Sequence, residues 1–212
     1  MKIALIGATG FVGSALLKEA VARGHVVSAL VSNTSKVPAD AQVSAVQVNV
    51  LDQDSLAHAL RGHDAVLSAF SGHAQSDVLD YYVKGLQSII AATKAASVPR
   101  LLVVGGAGSL EVAPGVQLID TPEFPEQWKG TAEGARKGLA LLRAETGLNW
   151  TVLAPSAHIE PGERTGQFRL GTDQLLVDAS GNSHISLQDY AVALFDELAQ
   201  PAHTGRRFTV GY

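Results

Sequence analysis

A short apolar run, Ile3–Ile6, delivers the chain straight into Gly7-Ala8-Thr9-Gly10-Phe11-Val12-Gly13, and Ser14–Arg23 reads as a helix behind it. No other feature narrows the fold as much. Gly7 permits a tight turn out of a strand, Gly10 lets a phosphate approach the backbone, and Gly13 lets the helix pack closely on the strand. The helix N-terminus then offers free N–H groups and the positive end of its dipole to an anion. The spacing is G-x-x-G-x-x-G rather than G-x-G-x-x-G, and a turn that merely needs glycine would look the same in isolation. Its place at the head of a strand–helix unit favours dinucleotide binding.

The rest of the chain repeats that alternation. Val26–Val31, Val46–Val50, Ala65–Ala69, Leu101–Val104 and Thr151–Leu153 read as strands buried on both faces, because each is a compact apolar run with little polar alternation. Leu79, Tyr82, Leu86, Ile89, Ile90 and Thr93 fall on one helical stripe, and Leu187, Ala191, Leu194, Phe195 and Leu198 on another. Gly24, Gly62 and Gly147 sit where left-handed helix ends want glycine, and Ser186-x-x-Asp189 caps the last helix. Arg206–Val210 reads as a late strand. Such an order implies right-handed crossovers and a doubly wound parallel sheet with helices on both faces. The pattern lapses at Gly105–Gly130 and Pro155–Ser183; irregular segments after strands are where ligand loops belong.

Composition removes other function classes. Sixteen Lys and Arg stand against twenty Asp and Glu, a net charge of −4, so no basic surface for nucleic acid is expected. The chain has no cysteine, which excludes disulfides, zinc–thiolate sites and a thiol nucleophile. The histidines lack metal-ligand spacing, and no metal site is expected. MKIALIGATG is too short an apolar run for a signal sequence, and no stretch has the length of a membrane span. The expectation is a cytoplasmic monomer or homodimer.

GATGFVGSAL followed by GHVVSALV resembles the atypical short-chain dehydrogenase/reductases, the branch that includes NmrA-like proteins, flavin reductases and biliverdin-IXβ-type reductases. GGAGSLEVAPG, WTVLAPS, PGERTG and ISLQDYAVALFDEL resemble more narrowly the bacterial NADH–flavin reductases, and the similarity runs from Met1 to Tyr212. The resemblance implies one Rossmann-like α/β domain over 1–212, with a dinucleotide core at 1–154 and a small loop-rich substrate segment at 155–212. It implies that Thr9, Gly10, Phe11 and Val12 line the pyrophosphate, with Gly7 counted among the cofactor-binding residues for the turn it makes, and Ser32, Asn33, Thr34 and Lys36 by the adenosine ribose. Asn49 and Val50 would meet the adenine edge. Ala69, Phe70 and Ser71 would lie under the nicotinamide ribose, with Gly105–Ser109, Pro155 and Ser156 framing the ring. The chain departs from relatives at two of these positions, with Ser32 where NADP binders often carry Arg and Asn49 where Asp is common.

The Tyr-x-x-x-Lys pair of the larger superfamily is missing; Tyr81 has Lys84 only three residues on, along a helix that reads as packed. Carbonyl reduction to an alcohol and sugar epimerisation therefore lack their usual acid. Hydride transfer to a flavin, quinone or similar planar acceptor needs alignment more than a protein acid. Phe70, Phe124, Trp128, Ser109, Ser156 and His158 are candidates for such a pocket. Ser109 is either a catalytic hydroxyl or a turn cap, His158 a substrate contact or a solvated side chain, and Trp128 a lid aromatic or a core plug. Arg164 either holds an anion or pairs with Glu160 or Glu163. Two rivals stay open: a regulator that binds the dinucleotide without turnover, against which the glycine-rich Gly105–Gly108 segment looks open enough for an acceptor, and an epimerase. The second-strand end, Val31-Ser32-Asn33-Thr34-Ser35-Lys36, has no carboxylate to repel a 2′-phosphate, so NADP(H) is expected over NAD(H).

Overall fold

The computed structural model describes residues 1–73 and 75–212. Eight strands form the main sheet: β1 (Lys2–Ile6), β2 (Val26–Val31), β3 (Val43–Gln47), β4 (Ala65–Ser68), β5 (Arg100–Val104), β8 (Asn149–Ala154), β10 (Arg169–Gly171) and β12 (Arg206–Gly211). Between them come a hairpin of β6 (Glu111–Ala113) and β7 (Val116–Gln117), and a parallel pair of β9 (His158–Glu160) and β11 (His184–Ser186). The helices are α1 (Phe11–Ala22), α2 (Gln53–Leu60), α3 (Val78–Ala95), α4 (Glu126–Arg143) and α5 (Leu187–Ala199).

The sheet order is β10-β12-β8-β5-β4-β1-β2-β3, parallel except for β10, which runs antiparallel to β12 at one edge. From β1 the chain winds outward through β2 to β3, then returns to lay β4 on the other side of β1. That reversal opens a crevice beyond the carboxyl ends of β1 and β4, the place where open α/β sheets bind ligands. Two apolar layers cover the sheet: α1 and α5 pack on one face around Leu16, Leu194 and Phe195, and α2, α3 and α4 on the other around Leu56, Leu86 and Leu142. The doubly wound α/β architecture expected of the sequence is the one observed. The residues after Ala154 are part of it, since β12 pairs with β8 inside the sheet and α5 completes the first layer.

Several local readings shift. The third strand ends at Gln47, not Val50, because β3 is a half-exposed edge strand without a continuous apolar run; Val48 and Val50 instead turn into the α2 layer. The first helix begins at Phe11, with Gly10 as its N-cap, three residues before the expected start. The irregular stretch expected through Gly130 stops at Pro125, where α4 begins. Gly24 and Gly62 take positive φ at helix ends as expected, but Gly147 does not; its N–H donates to Glu145 Oε1 four residues past α4. Ser186 Oγ caps α5 by accepting the Asp189 N–H at 3.0 Å, as read.

Candidate functional site

The crevice is built around three glycines that do different things. Gly7 has φ +77°, and a Cβ there would lie 2.7 Å from the Ala69 carbonyl oxygen, so the loop after β1 fits against the end of β4 only as glycine. At Gly13 a Cβ would lie 2.0 Å from the Gly7 carbonyl oxygen, which seats α1 directly on the turn. Gly10 is exposed, its φ is ordinary, and a Cβ would meet only the Gly7 carbonyl oxygen at 3.3 Å. The N–H of Ser14 is the first to find an intrahelical acceptor, Gly10 O at 2.9 Å, so the N–H groups of Phe11, Val12 and Gly13 end the helix without one. No side chain caps this end and its first turn carries no acid. The ring of Phe11 is 58% exposed beside it.

Beyond β2, Ser32, Asn33 and Lys36 are exposed and Thr34 half-buried. Asn33 Oδ1 accepts from Ser35 N–H at 3.0 Å and fixes a short 3-10 turn over Thr34–Lys36, placing hydroxyls and a cation at the sheet end where an adenosine ribose would sit. Asn49 Oδ1 accepts the Leu51 N–H at 3.0 Å and Val50 is buried, so the segment expected to meet the adenine edge is a fixed turn with only Asn49 outward. At the end of β4, Ala69 and Phe70 lie against the glycine loop, but the Phe70 ring turns onto α3. It stacks on Tyr82 with ring centroids 6.0 Å apart and fills the space a Cβ on Gly85 would need. Tyr82 in turn lies against Gly134 and Gly138 of α4, and burial pushes its hydroxyl up to about 12. That tyrosine is a packing residue, and Lys84 beside it is exposed.

Two hydroxyls proposed from sequence are turned inward. Ser109 is buried, and its Oγ accepts from Arg207 at 2.7 Å while Arg207 also holds Asp173, so a guanidinium ties the loop after β5 to β12. Ser156 is buried and donates to the Val210 carbonyl at 2.9 Å. Both read as structural. The Gly105–Gly108 segment is also not open: Cβ atoms on Gly105, Gly106 and Gly108 would strike Val152, Ala135 and Ala132, so these glycines let β8 and α4 sit close. Arg164 pairs with neither Glu160 nor Glu163 but with Glu19 on α1, bidentate at 2.8 Å for each bond. A single sequence gives no signal for that long-range partner. His158 is exposed on β9, beside His184 in register.

The crevice rim was only partly legible. Trp128, in the first turn of α4, is 50% exposed, so it is no core plug; Phe124 lies half-buried four residues earlier. The Trp128 ring stands edge-on to His73, with centroids 6.0 Å apart, and His73 Nδ1 lies 3.3 Å from Thr131 Oγ1. His73 and Thr131 carried no sequence signal for this pairing. Nearby, an open cleft of about 640 Å³ lies between α4 and the Ile119–Pro122 turn, with Leu79 of α3 at one side and Gly130 on the α4 wall. Among the described residues no group of three or more His, Asp or Glu is placed to hold a metal ion, and no helix is long and apolar enough to cross a membrane.

A strand turning through three glycines into an uncapped helix, at the point where a parallel sheet reverses its winding, defines a dinucleotide-binding α/β protein of the Rossmann class. A family model described as NAD(P)H-binding matches residues 7–201, and the chain belongs to that NAD(P)H-binding family. It is 42% identical to the uncharacterized protein YwnB of Bacillus subtilis over 99% of this chain and 98% of the relative. Among solved structures it is similar to a candidate epimerase of Bacteroides thetaiotaomicron, at 43% identity and TM-score 0.93 over 100% of this chain and 96% of that one. It is also similar to a candidate NADH-flavin reductase of Streptococcus pneumoniae, at 36% identity and TM-score 0.88 over 100% and 99% of the two chains.

Proposed function

We propose that the protein is a reductase that transfers hydride from NADPH to a flavin, quinone or similar planar acceptor. The observation that carries this reading is the pairing of a dinucleotide-type glycine turn with a site where, among the described residues, none of the tyrosine and serine hydroxyls singled out in the sequence stands as a proton donor. The only tyrosine–lysine neighbours on α3 belong to a packed helix, and Ser109 and Ser156 turn inward. A delocalised acceptor tolerates that lack because its reduced form takes a proton from water, whereas epimerisation and alcohol formation do not. For the same reason the epimerase description of the Bacteroides relative is not carried over, while the NADH-flavin reductase description of the Streptococcus relative agrees. The exposed Trp128 at the rim suits a flat acceptor better than it suits a sensor closed over its dinucleotide.

NADPH is the expected donor. Ser32, Thr34 and Lys36 lie together on the turn after β2, and no carboxylate opposes a 2′-phosphate there. The test is nicotinamide oxidation followed at 340 nm with menadione, riboflavin, FMN and an azo dye in turn. Reduction of at least one is expected; rates equal to the enzyme-free blank for all, with tight dinucleotide binding, would make the protein a sensor.

A further inference from the structure

The rim of the crevice is assembled from two elements that are distant in sequence. His73 lies in the connection from β4 to α3, four residues past Ala69, whose carbonyl meets Gly7. Trp128 and Thr131 lie on the first turns of α4, whose next residues, Ala132 and Ala135, pack on the Gly106–Gly108 loop. The hydrogen-bonding contact between His73 and Thr131 therefore ties the β4–α3 connection to α4 near the carboxyl ends of β4 and β5. Trp128 is half exposed against that contact, although tryptophan is normally largely covered in a folded chain. The two cations flanking the adjoining cleft are already matched by carboxylates, Lys129 by Glu126 at 2.6 Å and Arg136 by Asp120 at 2.9 Å and by Glu133.

We propose that Trp128 and His73 form an aromatic rim that takes one face of an uncharged planar acceptor, with Thr131 as the positioning residue that holds the His73 ring. This rests on the reductase reading above and adds to it which acceptors the site selects. Indole stacking rewards a flat conjugated ring, and at the adjoining cleft Lys129 and Arg136 stand among three carboxylates, Glu126, Asp120 and Glu133, so an acceptor phosphate gains no net attraction there. Riboflavin and menadione are therefore expected to be used as well as FMN. In the balanced reaction the acceptor gains one hydride from the nicotinamide and one proton from solvent, and NADP⁺ leaves; the rim exchanges neither.

Two measurements test this on the whole chain. Trp150 is buried and Trp128 exposed, so acceptor binding should quench the emission of Trp128 saturably, and the quenching should vanish in Trp128→Phe. In steady state, Trp128→Ala should raise KM for riboflavin and menadione by about tenfold with little change in kcat. Trp128→Phe should recover most of that loss, Thr131→Val should raise KM less, and dinucleotide affinity should hold in all three. Unchanged KM in Trp128→Ala, or FMN favoured over riboflavin by about tenfold or more, overturns the rim while leaving the reductase reading intact. Saturable Trp128 quenching without turnover of any acceptor upholds the rim and overturns the reductase reading instead.

Discussion

Arg164 reaches back across 145 positions of sequence to grip the Glu19 carboxylate, Nε to Oε2 and Nη2 to Oε1, each at 2.8 Å. Glu19 is buried, and Arg23 bonds the same carboxylate from one helical turn on. The pair clamps the Pro161–Gln167 segment onto α1, the helix whose other end is the uncapped N-terminus at the glycine turn. Arg164, with burial opposing and Arg23 adding, holds the Glu19 carboxyl below its ordinary value of 4.5. Its folded-state value is depressed, so its stabilisation is fully present above that ordinary value and lost as pH falls through the lowered one. Glu19→Gln should cost about 1–2 kcal/mol at pH 7 in urea unfolding. It should also flatten the acid limb of the stability profile below the ordinary glutamate range. An acid limb identical to the parent would contradict the assignment.

The glycines of the loop should separate into folding and binding roles. A methyl group on Gly13 would collide with the Gly7 backbone at 2.0 Å, so Gly13→Ala should lower stability by about 2 kcal/mol or more. Gly10→Val meets little protein and should leave the melting temperature near the parent while abolishing dinucleotide binding by calorimetric titration.

Lys36 gives the dinucleotide preference a direct check. It is exposed on the turn after β2 and should contribute to a 2′-phosphate but not to a 2′-hydroxyl. Lys36→Ala should weaken NADPH by about three- to tenfold, a loss of about 1 kcal/mol, and leave NADH within twofold. Selectivity should be modest even in the parent, since no bidentate Arg is present at Ser32.

His63 should make stability fall on mild acidification. Its Nδ1–H donates to the Leu60 carbonyl at 3.0 Å, which leaves Nε2 to accept from Ser28 Oγ at 2.9 Å, so the folded protein holds the neutral ring. Burial, aided by Lys2, lowers its pKa from 6.5 in spite of the backbone hydrogen bonds. The unfolded chain then takes up the proton first, and stability present above pH 6.5 declines as pH falls through the lowered value. His63→Gln should be less stable at pH 8 by about 1–2 kcal/mol yet show a shallower decline between pH 7 and 5. An equal slope in both proteins would contradict the sign.

Strand and helix order could be read because continuous apolar runs and helical stripes report burial directly, as in β2 and α5. The reading failed where burial is one-sided: β3 is a half-exposed edge, and its apolar neighbours Val48 and Val50 belong to the turn beyond it. The glycine loop was legible because steric need leaves few other residues. The partners of Ser109, Ser156 and Arg164 were not, since each is fixed by an element far along the chain: Arg207, Val210 and Glu19. The openness expected at Gly105–Gly108 reversed for a related reason, as glycine marks close packing as readily as open space.

The central claim is hydride transfer from a nicotinamide held on one face by the crevice. The most direct test is anaerobic oxidation of NADPH carrying deuterium stereospecifically at C4, run separately for each stereoisomer with menadione as acceptor, with the NADP⁺ product read by NMR. One stereoisomer should lose its deuterium completely and the other should retain it. Deuterium lost equally from both isomers, or no oxidation above the enzyme-free rate, would contradict the account.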